Sequence, residues 1–202
     1  MSNEFEDDPG VRLMLAYQAG DESAFDRIVE EYSAQVFALL TRFLGQRSTR
    51  EDLVQEVFLR VIRARERYQP TARFSTWLYR IVFNLSVNET QRSAGKEAQP
   101  IAASSFSEDR SSDGFADVDD ARAVQPSDRL EQEDVVRVVR AAIAALPEHQ
   151  RMALILAKYE ELPYTEIAEI LGSSEKAVKS LVHRAREALR ESLAPYLQGE
   201  LS

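Results

Sequence analysis

The sequence predicts an all-α chain, with two small helical domains joined by an acidic flexible linker. Three observations predict it. Only seven Gly and seven Pro occur among 202 residues, and long stretches run free of both. Apolar residues recur at helical spacing over residues 9–92, and again from about Leu130 almost to the end. Between these stretches, residues 93–130 carry seven Ser, eight acids, Pro100 and Pro126, with few large apolar side chains. Such a segment buries too little apolar surface to offset its ordering entropy, so 93–129 reads as a linker. The folded parts are then 9–92 and 130–193, and a hydrophobic content of 44% is ample for their cores.

Composition also excludes several functions. The chain has no cysteine, which removes disulfide staples and thiolate metal sites and suits a reducing cytoplasm. Its first residues, MSNEFEDDPG, are acidic and polar, the opposite of a signal peptide. No apolar run approaches the roughly 18 residues that span a bilayer, so no membrane insertion is expected. The formal net charge of −9 argues against tight DNA binding by the chain alone, but the charge is unevenly placed. Residues 21–58 hold eight acids against four bases, whereas residues 60–92 hold seven arginines against Glu66 and Glu89.

In the first domain, Pro9 to Ala19 reads as a short helix closed by Gly20. Asp21 is a good N-cap for a long helix to about Leu44, which Gly45 stops. Ser48 and Glu51 have capping-box spacing before a third helix over about 49–66. The stretch Glu66 to Arg73 contains Pro70 and reads as a loop, and a last helix follows from Phe74 to Arg92.

Two of these helices have informative faces. At about 100° per residue, Leu53, Val54, Val57, Phe58, Val61 and Ile62 form one apolar arc. Asp52, Gln55, Glu56 and Arg63 fall opposite, with Leu59 among them. Leu59 is then either an ordinary exposed leucine or part of a protein contact. The 74–92 helix has two apolar arcs: Phe74, Leu78, Ile81, Val82 and Leu85 on one side, and Tyr79, Phe83 and Val87 on the other. A helix apolar on two sides is wedged between neighbours. Arg80, Asn84, Asn88 and Gln91 form the remaining ridge, with Trp77 beside its start. Amides next to an aromatic suit hydrogen bonding to base edges and stacking of bases, and they equally suit a solvated strip with Trp77 in the core.

The segment LPYTEIAEILGSSEKAVKSLVHRAREALR reads as helix–turn–helix. Ile167, Ala168 and Leu171 point inward from the first helix, Gly172 makes the turn, and Ser174 caps the second helix. On that second helix Val178, Leu181, Val182, Ala185 and Leu189 gather on one side. Lys176, Ser180, His183 and Arg184 project from the other, flanked by Lys179 and Arg186. Residues 174–190 hold five bases and two acids, so this helix is positive within an acidic chain. That pattern favours a DNA-recognition helix over a hairpin with a solvated basic face. His183 has no partner at metal-ligand spacing, and no metal or cofactor is expected.

These segments, in this order, resemble the extracytoplasmic-function class of RNA polymerase sigma factors. EDLVQEVFLRV followed by RFSTWLYRIVFNL looks like the second region of that family. LPEHQRMALILAKYEELPYTEIAEILGSSEKAVKSLVHRAREALR looks like its fourth region. The resemblance implies a factor that binds core RNA polymerase, recognises −35 and −10 promoter elements and promotes DNA melting. It places Asp52, Gln55, Glu56 and Leu59 on the clamp helices of the polymerase β′ subunit. It assigns Arg73, Phe74, Ser75, Trp77, Arg80, Asn84 and Asn88 to capture and melting of the −10 element. It assigns Lys176, Lys179, Ser180, His183, Arg184 and Arg186 to the −35 element, and Pro147 to Tyr159 to the β flap. The family is also commonly held inactive by an anti-sigma factor.

Two positions depart from the pattern. Ser173 stands where a branched apolar residue usually follows the turn glycine, and Pro163 replaces a hydrogen-bonding cap. Neither removes a DNA-facing group. No separate region-three domain is visible, and no extra C-terminal domain is expected after Ser202. Two rival functions find less support. A polymerase-independent helix–turn–helix regulator predicts a dimer on a two-fold site, and the sequence shows no heptad seam or ligand-pocket pattern for one. An enzyme predicts a nucleophile–base pair, a phosphate-binding glycine loop or HExxH-type spacing, and the sequence has none of them.

Overall fold

The computed structural model describes the backbone of residues 5, 7–45, 50–97 and 126–199, and side chains over 5, 7–45, 50–93 and 135–196. Regular structure among the described residues is helical throughout. It comprises α1 (Pro9–Gln18), α2 (Glu22–Leu44), α3 (Arg50–Ala64), α4 (Phe74–Glu97), α5 (Pro126–Ala144), α6 (Glu148–Lys158), α7 (Tyr164–Leu171) and α8 (Glu175–Gly199). A single 3₁₀ turn, Arg65–Arg67, follows α3. Most of the linker 93–129 lies outside the described residues, as does Ser48 of the expected capping box. At its edges the expectation needs correction: α4 runs on to Glu97, and α5 already begins at Pro126.

Local chemistry sets the boundaries. Asp8 caps α1 by accepting from the Val11 amide at 2.9 Å, and Pro9 supplies the first helical turn. Asp21 caps α2, accepting from the Ser23 amide at 3.0 Å and the Ser23 hydroxyl at 2.6 Å. That hydroxyl is the main reason its carboxyl sits below the usual range. Gly45, at φ 72, ends α2 in a conformation that side chains rarely adopt. At Gly10 the constraint is space. A Cβ there would collide with the Tyr32 hydroxyl and come within 2.7 Å of the Phe74 Cβ. The missing side chain lets α1 lie close against α2 and α4.

Met14, Ile28, Leu39, Leu40, Phe43, Phe74 and Leu78 are fully buried at the centre of the first unit. The helix α4 touches α1, α2, α3 and α7, so the wedged position read from its two apolar arcs is what the fold contains. Ile62, counted in the apolar arc of α3, instead remains exposed. It sits at the edge of that arc.

The two helical units are packed together. One apolar core runs from Phe43 and Phe83 into Met152, Ile155 and Ile167. Phe83 stands edge-on to Phe43, at 6.4 Å between centroids, and to His149, at 5.1 Å. Arg151 lies over the Phe43 ring at 4.9 Å and donates to the Phe43 carbonyl at 3.0 Å. It also donates to the carbonyls of Ala144 and Leu146, fastening the α5–α6 turn. The physical reason is the second arc of α4: Tyr79 and Phe83 need cover, and the C-terminal unit provides it.

Candidate nucleic-acid and polymerase interfaces

On α3, burial of Val57, Phe58 and Val61 leaves Asp52, Gln55 and Leu59 on the outer surface. Leu59 is 44% exposed, and Ile62, one turn further on, is 40% exposed, so the outer face has two apolar residues where one was expected. Glu56 is half-buried and ion-paired to Arg60 at 3.1 Å and Arg63 at 3.2 Å. The Arg60 hydrogen bond above all holds its carboxyl below the usual range. Asp52 and Glu56 also share a groove with Asn88 and Arg92, which joins the outer face of α3 to the far end of the α4 ridge.

On α4 the ridge is exposed at every member: Arg80, Asn84, Asn88 and Gln91. Arg73 is exposed and Ser75 half-buried at the entry to the helix. Phe74 is a correction. Its ring is fully buried, edge-on to Tyr32 at 4.9 Å, so it supports the helix and offers no surface to a base. Trp77 is half-buried, edge-on to Tyr68 at 5.0 Å and tilted on Phe74 at 5.5 Å, leaving only part of its ring available. Burial among these rings raises the pKa of the Tyr68 hydroxyl well above its usual value and pushes that of Tyr32 up to about 12.

The helix–turn–helix forms as its residues dictate. Gly172 takes the left-handed conformation at φ 60 and closes α7. Ser173 donates its amide to the Ala168 carbonyl at 2.9 Å while its side chain stays exposed, so no core position is lost there. Pro163 precedes α7 with no side-chain cap. Ser174 Oγ accepts from the Ala177 amide at 3.2 Å and starts α8. Val178, Val182 and Ala185 are buried, whereas Lys176, Lys179, Ser180, His183, Arg184 and Arg186 are all exposed. Within this row the Ser180 hydroxyl donates to the Lys176 carbonyl at 3.1 Å, and Arg184 Nε donates to the Ser180 carbonyl at 3.3 Å. His183 Nδ1 lies 3.3 Å from Glu187, on the same helix. Among the described residues no cluster of His, Cys, Asp or Glu has metal-binding geometry, and no helix is long and apolar enough to cross a membrane.

The segment Pro147 to Tyr159 is interior at its centre and reaches solvent at both ends. Met152 to Leu156 are buried, and Tyr159 carries Arg42 over its ring at 4.8 Å. Sequence reasoning missed the contacts of this kind between the two units. Glu160 pairs with Arg42 at 3.1 Å and accepts from the Tyr79 hydroxyl at 2.9 Å. Glu166 accepts from the Thr76 hydroxyl at 3.0 Å and lies 3.5 Å from Arg73. The only signal for them was the second apolar arc of α4, which required a neighbour without naming it.

Family comparisons match this arrangement in both units. Residues 28–95 match the sigma-70 region 2 model, and residues 137–189 match the sigma-70 region 4 model. The RNA polymerase sigma-H factor of Pseudomonas aeruginosa is 31% identical over 93% of this chain and 95% of its own length. The ECF RNA polymerase sigma-E factor of Escherichia coli is 30% identical over 92% and 95%. The chain belongs to the extracytoplasmic-function class of sigma factors. Solved structures agree in fold. CnrH in complex with the cytosolic domain of CnrY aligns over 91% of this chain and 96% of its own, at 21% identity and a TM-score of 0.64. The sigma factor RpoE in complex with the anti-sigma factor NepR, from Bartonella quintana, aligns over 84% and 96%, at 20% identity and a TM-score of 0.60. As a sigma factor the chain is a transcription-initiation factor that acts through RNA polymerase and recognises promoters.

Proposed function

We propose that this sigma factor divides its work among three faces. Region 2, residues 9–92, docks on core polymerase through Asp52, Gln55, Glu56 and Leu59 of α3, with the β′ clamp helices as counterpart. It handles the −10 strand through Arg73, Ser75, Arg80, Asn84 and Asn88, with Trp77 at the edge. Region 4, residues 130–193, reads the −35 duplex through the exposed row of α8, and residues 93–129 tether the two. The β flap meets region 4 at the exposed residues of the Pro147–Tyr159 segment. The chain acts in the cytoplasm, does no catalysis, and is held in check by an anti-sigma factor, the kind of partner seen with NepR on its relative.

One observation carries this reading. Both polar rows stay exposed: Arg80–Asn84–Asn88 on α4, between its two packed flanks, and Lys176–Ser180–His183 on α8, opposite the buried Val178, Val182 and Ala185. Rigid helices presenting polar edges are what base readout requires. The net charge of −9 is compatible with it, because polymerase would hold both basic patches on one promoter and raise their effective concentration. Run-off transcription with purified core polymerase and a promoter library tests it. The expected result is promoter-specific transcripts that require both rows; transcription indifferent to promoter sequence would overturn the assignment.

A further inference from the structure

We propose that Glu187 is a positioning residue for −35 reading: it fixes the tautomer of His183, so that the imidazole meets the groove as a hydrogen-bond acceptor and favours a base carrying an amino group. The proposal rests on the assignment of His183 to the −35 face, and adds to it a residue of α8 outside that row.

His183 Nδ1 lies 3.3 Å from a Glu187 carboxylate oxygen, one turn further along α8. Residues at this spacing lie one above the other on a helix face, so the helix itself brings the pair together. Both side chains are exposed, so the carboxylate rather than core packing sets the ring. Their neighbours in the row turn to the backbone instead. Arg184 Nε donates to the Ser180 carbonyl at 3.3 Å, and the Ser180 hydroxyl donates to the Lys176 carbonyl at 3.1 Å.

The chemistry follows from where the proton sits. A neutral imidazole carries one N–H, and the partner of one nitrogen decides what the other offers. An ionised carboxylate accepts and never donates, so Nδ1 beside it keeps the proton and Nε2 is left with its lone pair. In the major groove the amino donors are adenine N6 and cytosine N4, whereas guanine and thymine present acceptors. The basic members of the row, Lys176, Lys179, Arg184 and Arg186, can only donate. His183 held in this way places an acceptor among them. In water such a surface pair biases the equilibrium by about fivefold at most. Docking removes water from it and strengthens the pull of the carboxylate on the Nδ1 proton.

The test is transcription by holoenzyme from a randomised −35 library, with wild type, His183→Ala, Glu187→Ala and the double variant. The position whose base preference changes in His183→Ala is the one that the ring reads. There Glu187→Ala should bring the preference close to parity, because either tautomer is then open to the ring. Losing a negative charge beside DNA also strengthens binding to every promoter, a uniform gain that cancels in the ranking. In the His183→Ala background, Glu187→Ala should leave the ranking as it is. Promoters lacking the exocyclic amino group at that position, with purine for adenine or pyrimidin-2-one for cytosine, identify the contact. That loss should cost wild type about fivefold more than it costs Glu187→Ala, the worth of one net hydrogen bond. A ranking untouched by Glu187→Ala, a change that persists without His183, or equal costs of amino removal in both proteins each overturns the positioning role. If His183→Ala itself changes no preference, the −35 assignment of the ring falls and the proposal with it. If His183→Ala changes one position and Glu187→Ala leaves it alone, only the role of Glu187 falls.

Discussion

Base reading and phosphate anchoring on α8 are separable by substitution. Lys176 and Ser180 lie near its start, opposite the buried Val178, Val182 and Ala185, where a docked helix meets base edges. Arg186 lies to the side and further along, where the groove wall presents phosphates. All three are exposed, so replacing them by Ala should change folding stability by no more than about 0.5 kcal/mol. Losing a good base contact costs about 1–3 kcal/mol, or about 5- to 150-fold, only on promoters carrying the base that is read. Losing one phosphate contact instead changes the salt slope by about 0.9, so the defect of Arg186→Ala should shrink about 3.5-fold between 50 and 200 mM salt. Ser180→Ala is the cleaner base probe because it removes no charge. The assay is transcription by holoenzyme from a randomised −35 library at several salt concentrations. Lys176→Ala and Ser180→Ala should re-rank the promoters, and Arg186→Ala should weaken all of them alike. If Arg186→Ala re-ranks the library and the other two do not, the helix is oriented differently from this account.

Other perturbations follow from the remaining faces. Gln55→Ala with Leu59→Ala removes two exposed groups from α3, so helical content should hold while affinity for core falls by about tenfold or more, as for interface anchors, in a competition assay. Unchanged affinity would defeat the docking assignment. Asn84→Ala with Asn88→Ala should impair open-complex formation and leave core binding intact, because Leu78, Val82 and Leu85 carry the packing of α4. Permanganate footprints matching wild type would reduce the ridge to a solvated strip. Gly10→Ala forces a methyl against the Tyr32 hydroxyl and Phe74, and should destabilise the chain by about 1–3 kcal/mol in thermal or denaturant unfolding. No loss of stability there would mean that α1 can shift away from α2 and α4 at little cost.

The helices were legible because their signals are local. Asp21, Gly45, Gly172 and Ser174 mark ends through their own backbone and side-chain chemistry, and each marks the end it predicted. The exposed ridge of α4 was legible for a related reason: when both flanks of a helix are apolar, the remaining direction faces out. Phe74 was misjudged as a base contact because motif position and burial point in opposite directions, and only the distances to Tyr32 and Trp77 decide between them. Ile62 failed at the edge of an arc, where helical phase alone does not say how wide the neighbouring helix is. The pairs Arg42–Glu160 and Thr76–Glu166 were not legible at all. They join residues 118 and 90 positions apart, and no periodicity within either helix encodes which carboxylate meets which donor.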